Sequence, residues 1–149
     1  MLEKCTIYLN EFQVETINES DGVYTGIVIN GKKHGLGTKK WNSGGKYVGT
    51  WENGKRHGYG VYLYKEGHMY SGGYDNDKMA GLGFYNWPTG HMYVGQFKVG
   101  LRDGYGHFFW PNGKRFVGEW KDGDKHGSGI MKKSDGTVRK GQWRNNNEA

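Results

Sequence analysis

Few residues in this chain carry reactive or metal-ligating side chains, and their spacing decides what they can do. Cys5 is the single cysteine of the 149 residues. It sits among acidic residues, which raise a thiol's pKa, and no base is placed beside it. One cysteine permits no internal disulfide and no cysteine-rich zinc site, and it suits a reducing compartment. His34, His57 and His126 recur at one position of a repeating unit, and His68 and His91 at another. On stacked hairpins, neighbours in such a column lie about 10 Å apart, whereas zinc needs nitrogens at about 2.0 to 2.1 Å. These residues read as turn histidines that hydrogen-bond the loop backbone. Gly26 to Lys32 and Gly49 to Lys55 nearly match a phosphate-binding loop, but Lys33 and Arg56 follow where Ser or Thr is required. Such a loop also opens a helix, and here a strand follows, so both segments read as hairpin turns. Asp75 with Asp77, and Asp122 with Asp124, are solvated turn residues. No catalytic set, no cofactor site and no metal site is expected.

The remaining chemistry is electrostatic. The formal charge of +6 is uneven, because residues 1–23 are acidic and residues 24–69 hold Lys32, Lys33, Lys39, Lys40, Lys46, Lys55 and Arg56. Such a cluster is either a solubilising rim or an attraction for anionic head groups, worth about 1 kcal/mol per basic residue near a lipid surface. No amphipathic insertion helix accompanies it, so membrane binding through Lys32, Lys33, Lys55 and Arg56 would be salt-sensitive. Nucleic acid is not expected, since no reader motif is present.

These residues are positioned by a repeat. GLG at 35, GYG at 58, GLG at 81, GYG at 104 and GSG at 127 follow one another at a spacing of 23 residues. In that register Tyr24, Tyr47, Tyr70, Tyr93 and Phe116 start five units, and a partial sixth begins at Arg139. Gly26, Gly49, Gly72, Gly95, Gly118 and Gly141 come two residues later, followed after two more by Val28, Trp51, Tyr74, Phe97, Trp120 and Trp143. Period 2 puts all three positions on one face of a strand. A glycine turn such as NGKRHG leads to a second strand such as YGVYLY, so each unit is one β-hairpin. Each glycine leaves room for a ring from a neighbouring strand to lie over the backbone, which accounts for 28 glycines. The 11 Tyr, 6 Trp and 6 Phe supply the cohesion.

The expected fold is all-β, an elongated single-layer antiparallel sheet of stacked β-hairpin repeats, curled by strand twist into a trough. Residues 1–23 form an N-terminal capping strand or hairpin, 24–138 the five repeats (24–46, 47–69, 70–92, 93–115 and 116–138), and 139–149 a partial sixth repeat and polar tail. MLEKCTIYLNEFQ lacks the apolar core of a signal peptide, and no apolar run approaches the length of a membrane span, so a cytoplasmic protein is expected.

Residues 47–69, YVGTWENGKRHGYGVYLYKEGHM, resemble the MORN unit, whose pattern is Tyr-x-Gly-x-Trp-x-x-Gly-Lys-x-His-Gly-x-Gly. The resemblance covers about four-fifths of the chain. It implies a hairpin sheet that binds rather than catalyses, of the kind found in junctophilins, plant phosphatidylinositol-phosphate kinases, a histone methyltransferase, ciliary radial-spoke heads and apicomplexan cytoskeletal scaffolds. Asp77 and Ala80 in unit three, Leu101 and Asp103 in unit four and Lys133 in unit five depart from the pattern.

Tyr62, Tyr64, Tyr85, Trp87, Phe108 and Trp110 share the glycine face, while Tyr59, Val61, Leu63, Leu82, Phe84, Tyr105 and Phe109 make the other face apolar as well. The expected function is a protein-interaction scaffold or adaptor of cytoskeletal or ciliary type. Its trough holds a partner helix or extended peptide on Tyr62, Tyr64, Tyr85, Trp87, Phe108 and Trp110. The alternative is a peripheral module that binds anionic phospholipid through Lys32, Lys33, Lys55 and Arg56. The half-unit at 139–147 leaves an edge on which a second copy could pair as a homodimer.

Overall fold

The alternation Tyr-x-Gly-x-Trp places large rings on one side of each strand, and the computed structural model, which describes residues 13–149, shows what that produces. Thirteen strands follow one another in chain order: β1 (Gln13–Glu19), β2 (Gly22–Ile29), β3 (Lys32–Trp41), β4 (Lys46–Glu52), β5 (Lys55–Leu63), β6 (Met69–Asp75), β7 (Lys78–Asn86), β8 (Met92–Lys98), β9 (Leu101–Phe109), β10 (Arg115–Lys121), β11 (Asp124–Lys132), β12 (Val138–Arg144) and β13 (Asn147–Glu148). Each pairs antiparallel with the next in one open sheet, with no closure into a barrel. No helix among the described residues is long and apolar enough to cross a membrane.

Register gives the sheet its axis. Gly26 lies opposite Gly37, Gly37 opposite Gly49, Gly49 opposite Gly60, and so on through Gly129 opposite Gly141, an unbroken glycine row across β2 to β12. The two glycines of each Gly-x-Gly serve different purposes. Gly58 (φ 77) sits in a bulge that shifts the β4/β5 register between Gly49 and Trp51, a conformation closed to most side chains. Gly60 lies beneath the Tyr47 ring, whose Oη is bonded to the Thr50 carbonyl at 3.0 Å.

The core is a single row of rings on this face. Tyr24, Tyr47, Tyr70, Tyr93 and Phe116 are 0 % exposed although no second layer covers them. Each is walled by edge-on neighbours, as where Tyr47 meets Trp51 at 5.1 Å and Tyr74 at 5.2 Å between ring centroids. One layer buries a ring this completely only where the neighbouring rings lean over it, which makes the ring face the packed one. On the opposite face Leu36, Tyr59, Leu82 and Tyr105 are the most exposed of the apolar residues in the repeats.

At the first edge β1 pairs with β2 from Gln13 opposite Val28 to Glu19 opposite Gly22. Cys5 and the rest of the capping segment before Gln13 lie outside the described residues. Glu19 accepts hydrogen bonds from Lys33 and Lys39 Nζ, both at 2.5 Å, and Asp21 accepts one from Lys39 at 2.7 Å. The acidic start therefore neutralises part of the basic third that follows it.

Candidate partner-binding groove

In units two to four the end of strand two carries rings at i and i+2, so both lie on the ring face. The closing turn then holds the second ring in place. Tyr64 N–H donates to the His68 carbonyl, Trp87 to that of His91 and Trp110 to that of Lys114. Successive hairpins bring these pairs into one ladder. From Trp41, centroids step 5.2 Å to Tyr62, 4.3 Å to Tyr64, 6.1 Å to Tyr85, 4.3 Å to Trp87, 5.5 Å to Phe108 and 4.5 Å to Trp110. All six residues singled out from the sequence are thus in one aromatic ribbon. Phe108 is buried, and the other five are half-buried against the Tyr/Trp core. Tyr85 Oη is 3.3 Å from His68 Nδ1, and Thr89 Oγ1 is 2.7 Å from His91 Nδ1. His57 lies 3.4 Å from both Glu52 and Asp75 carboxylates. His57, His68 and His91 thus engage side chains instead of the loop backbone.

Beside the ribbon stands a second column, not recognised in the sequence as one. Lys33, Arg56, Met79, Arg102 and Lys125 occupy the same position in successive units and reach back over the rings. The Arg56 guanidinium is 5.1 Å from the Tyr74 centroid and 5.4 Å from Tyr62. Arg102 is 4.3 Å from Trp120 and 5.4 Å from Phe108, and Lys33 is 5.2 Å from Trp51. Cations over ring faces are attracted by the ring quadrupole. The available signal was a long side chain every 23 residues at 33, 56, 79, 102 and 125, masked because two of its members fall within the general basic cluster.

The four residues of the basic loop edge separate in the structure. Lys33 is paired with Glu19, and Arg56 donates from Nε to Asp77 Oδ1 at 3.0 Å. Lys32 and Lys55 are exposed. Burial pushes the phenols of Tyr47, Tyr85 and Tyr93 up to about 12, and those of Tyr70 and Tyr74 higher still. Burial also weakens the hold of Arg102 and Lys125 on their protons. Among the described residues no three His, Cys, Asp or Glu side chains converge as a metal site. On the outer face a shallow groove of about 550 Å³ is lined by Val48, Tyr59, Val61, Leu82, Phe84 and Val94 over the glycine backbone.

A one-layer sheet of ring-and-glycine hairpins with open grooves on its faces is a repeat architecture. The family model for the MORN repeat matches residues 24–46, 47–69, 70–92, 93–115 and 116–138, and the chain belongs to the MORN-repeat family. No curated protein matches it in sequence. Among solved structures it is similar to the TCP domain of Drosophila melanogaster SAS-4 (dCPAP), solved in complex with a proline-rich motif of Ana2 (dSTIL). That likeness has 11% identity and a TM-score of 0.35, covering 88% of this chain and 90% of that one. It is also similar to a mutant TCP10 domain of Danio rerio CPAP, with 14% identity and a TM-score of 0.33, covering 85% of this chain and 76% of that one.

Proposed function

We propose that this chain is a non-catalytic protein-interaction scaffold of the cytoplasm, of cytoskeletal or ciliary type, whose trough binds a helix or extended peptide of a protein partner. The observation that carries the reading is the unbroken ribbon from Tyr62 to Trp110. Its rings pack against the core and, apart from the buried Phe108, keep part of their surface exposed. Rigid aromatic side chains lose little entropy on binding, and such anchors dominate interface energetics.

The test is affinity capture from cell extract with the wild-type chain, Trp87→Ala, and the joint Lys32, Lys33, Lys55 and Arg56 reversal to Glu. A defined protein lost with Trp87→Ala, at undiminished β circular dichroism, supports the reading. The loss should be about thirtyfold or more in affinity, as for an interface hot spot. Loss of binding and fold together would make the ribbon purely core. Recovery of anionic lipid alone, abolished by the charge reversal, would replace the scaffold with a peripheral lipid module. Light scattering at two concentrations separates either from a homodimer formed through the part of β12 that the short β13 leaves unpaired.

A further inference from the structure

The cation column is neutralised in the first two units and not in the fourth. Arg56 finds its carboxylate 21 residues on, in the turn of the next hairpin, where Asp77 accepts from Arg56 N–H and Nε, both at 3.0 Å. Arg56 Nη2 also donates to the Asp77 carbonyl at 2.9 Å. The residue 21 positions after Arg102 is Gly123. Arg102 Nη2 keeps the carbonyl bond, at 2.5 Å, but the side chain that would supply the carboxylate is missing. No carboxylate of the described residues lies within salt-bridge distance of Arg102, and the nearby acids are engaged elsewhere. Asp124 accepts from Asn146 Nδ2, and Asp103 from the Asp122 N–H. The half-buried guanidinium therefore touches no carboxylate, and Asp124 acts on it only at longer range.

This cation borders a cleft of about 240 Å³ on the ring face, lined by Met79, Tyr85, Trp87, Phe97, Leu101 and Arg102. The cleft opens where Met79 stands in the cation column, so its wall on that side is apolar. Its volume is roughly eight water molecules' worth, the size of one large apolar side chain. An apolar pocket with a guanidinium at its rim that no carboxylate touches is complementary to an apolar residue followed closely by a carboxylate. A planar guanidinium takes a carboxylate through two parallel hydrogen bonds.

Resting on the trough reading above, we infer that the trough is specific for an acidic partner segment, which seats an apolar side chain between Met79 and Trp87 and a carboxylate on Arg102. The unit-two pair shows what the partner replaces: Arg102 is an Arg56 whose Asp77 is delivered in trans.

Three variants test this. Arg102→Met copies the residue that unit three already carries in the column. Gly123→Asp supplies the missing carboxylate in cis, at a position where an added Cβ meets nothing within 4 Å. Gly123→Asn has the same backbone demand without the charge. A random-sequence peptide display library is selected on the wild-type chain, and the winning peptides are titrated against each variant by tryptophan fluorescence. The expected winners pair an apolar residue with Asp or Glu, bind about tenfold more weakly to Arg102→Met and to Gly123→Asp, and bind Gly123→Asn as they bind wild type. Winners that need Trp87 but show no acidic preference, or ignore Arg102→Met and Gly123→Asp, would overturn this inference and leave the trough reading standing. A selection yielding no peptide sensitive to Trp87→Ala would overturn both.

Discussion

Gly60→Ala puts a single methyl group where the core ring of unit two lies. The added Cβ would stand 2.3 Å from Tyr47 Oη and 2.4 Å from both Cε2 and Cζ. Carbon atoms in contact prefer about 3.5 to 4.0 Å, so the ring must move by more than an ångström. It has nowhere to go, being 0 % exposed, edge-on to Trp51 and Tyr74, and tied by its hydroxyl to Thr50 O. Overpacking costs about 1–3 kcal/mol and the lost hydroxyl bond about 1 more, so the loss should be roughly 2–4 kcal/mol. The assay is urea denaturation followed by tryptophan fluorescence, with Gly54→Ala as the comparison. Gly54, unlike Gly60, has positive φ (87), and nothing lies within 4 Å of its Cβ, so only its backbone is strained. A double-mutant cycle isolates the cause, because in a Tyr47→Ala background the Gly60→Ala cost should nearly vanish. If Gly60→Ala costs no more than Gly54→Ala, or costs as much without the Tyr47 ring, the ring-over-glycine account of this fold is refuted.

Three further perturbations follow from the same geometry. Val99 is a β-branched residue at φ 51, where sister turns hold Asn30, Asn53 and Asn76, and it is 59 % exposed. Val99→Asn should therefore stabilise the chain by about 0.5–1 kcal/mol in the same denaturation assay, and a lower midpoint would contradict the strain argument. Tyr74 Oη is buried without a partner among the described residues, whereas Trp51 and Trp120 in the same column donate to Gly37 O and Gly106 O at 3.3 Å. Tyr74→Phe should raise stability by about 1 kcal/mol, and a fall would mean the hydroxyl is satisfied. Glu19 and Asp21 are held below their usual carboxylate range by the Lys33 and Lys39 hydrogen bonds, against the opposing effect of burial at Glu19. Depressed acid pKa values contribute stability that is present above the unfolded values and lost as pH falls through the folded ones. Thermal melts from pH 7 to pH 3 should show this loss, and Lys39→Met should flatten it. An unchanged slope would remove the cluster from the account.

The candidate groove was legible in part. The positions of Tyr62, Tyr64, Tyr85, Trp87, Phe108 and Trp110 follow from period 2 and a 23-residue register, and they do meet in one ladder. What the pattern did not disclose is how much of each ring is left open, because exposure depends on which neighbour leans across it. The basic loop edge was legible as composition only. Lys33 and Arg56 look like Lys32 and Lys55 in the sequence, yet strand alternation turns the first two inward over rings and leaves the other two in solvent.

Repeat period, hairpin units, the sets of residues that share a face and the glycine row were determined by the sequence alone. Each is set by local alternation and by contacts between neighbouring strands that recur every unit. Two things were decided only by the tertiary structure. One is the choice of packed face, since both faces are apolar in the sequence and only packing buries one of them. The other is the ionic state of the cation column. The partner of Lys33 is Glu19 on β1, 14 residues earlier, whereas that of Arg56 sits 21 residues later, in the turn of the next hairpin. No linear pattern exposes that distance, so the difference between Asp77 and Gly123, and with it the unpaired Arg102, emerges only once the hairpins are stacked.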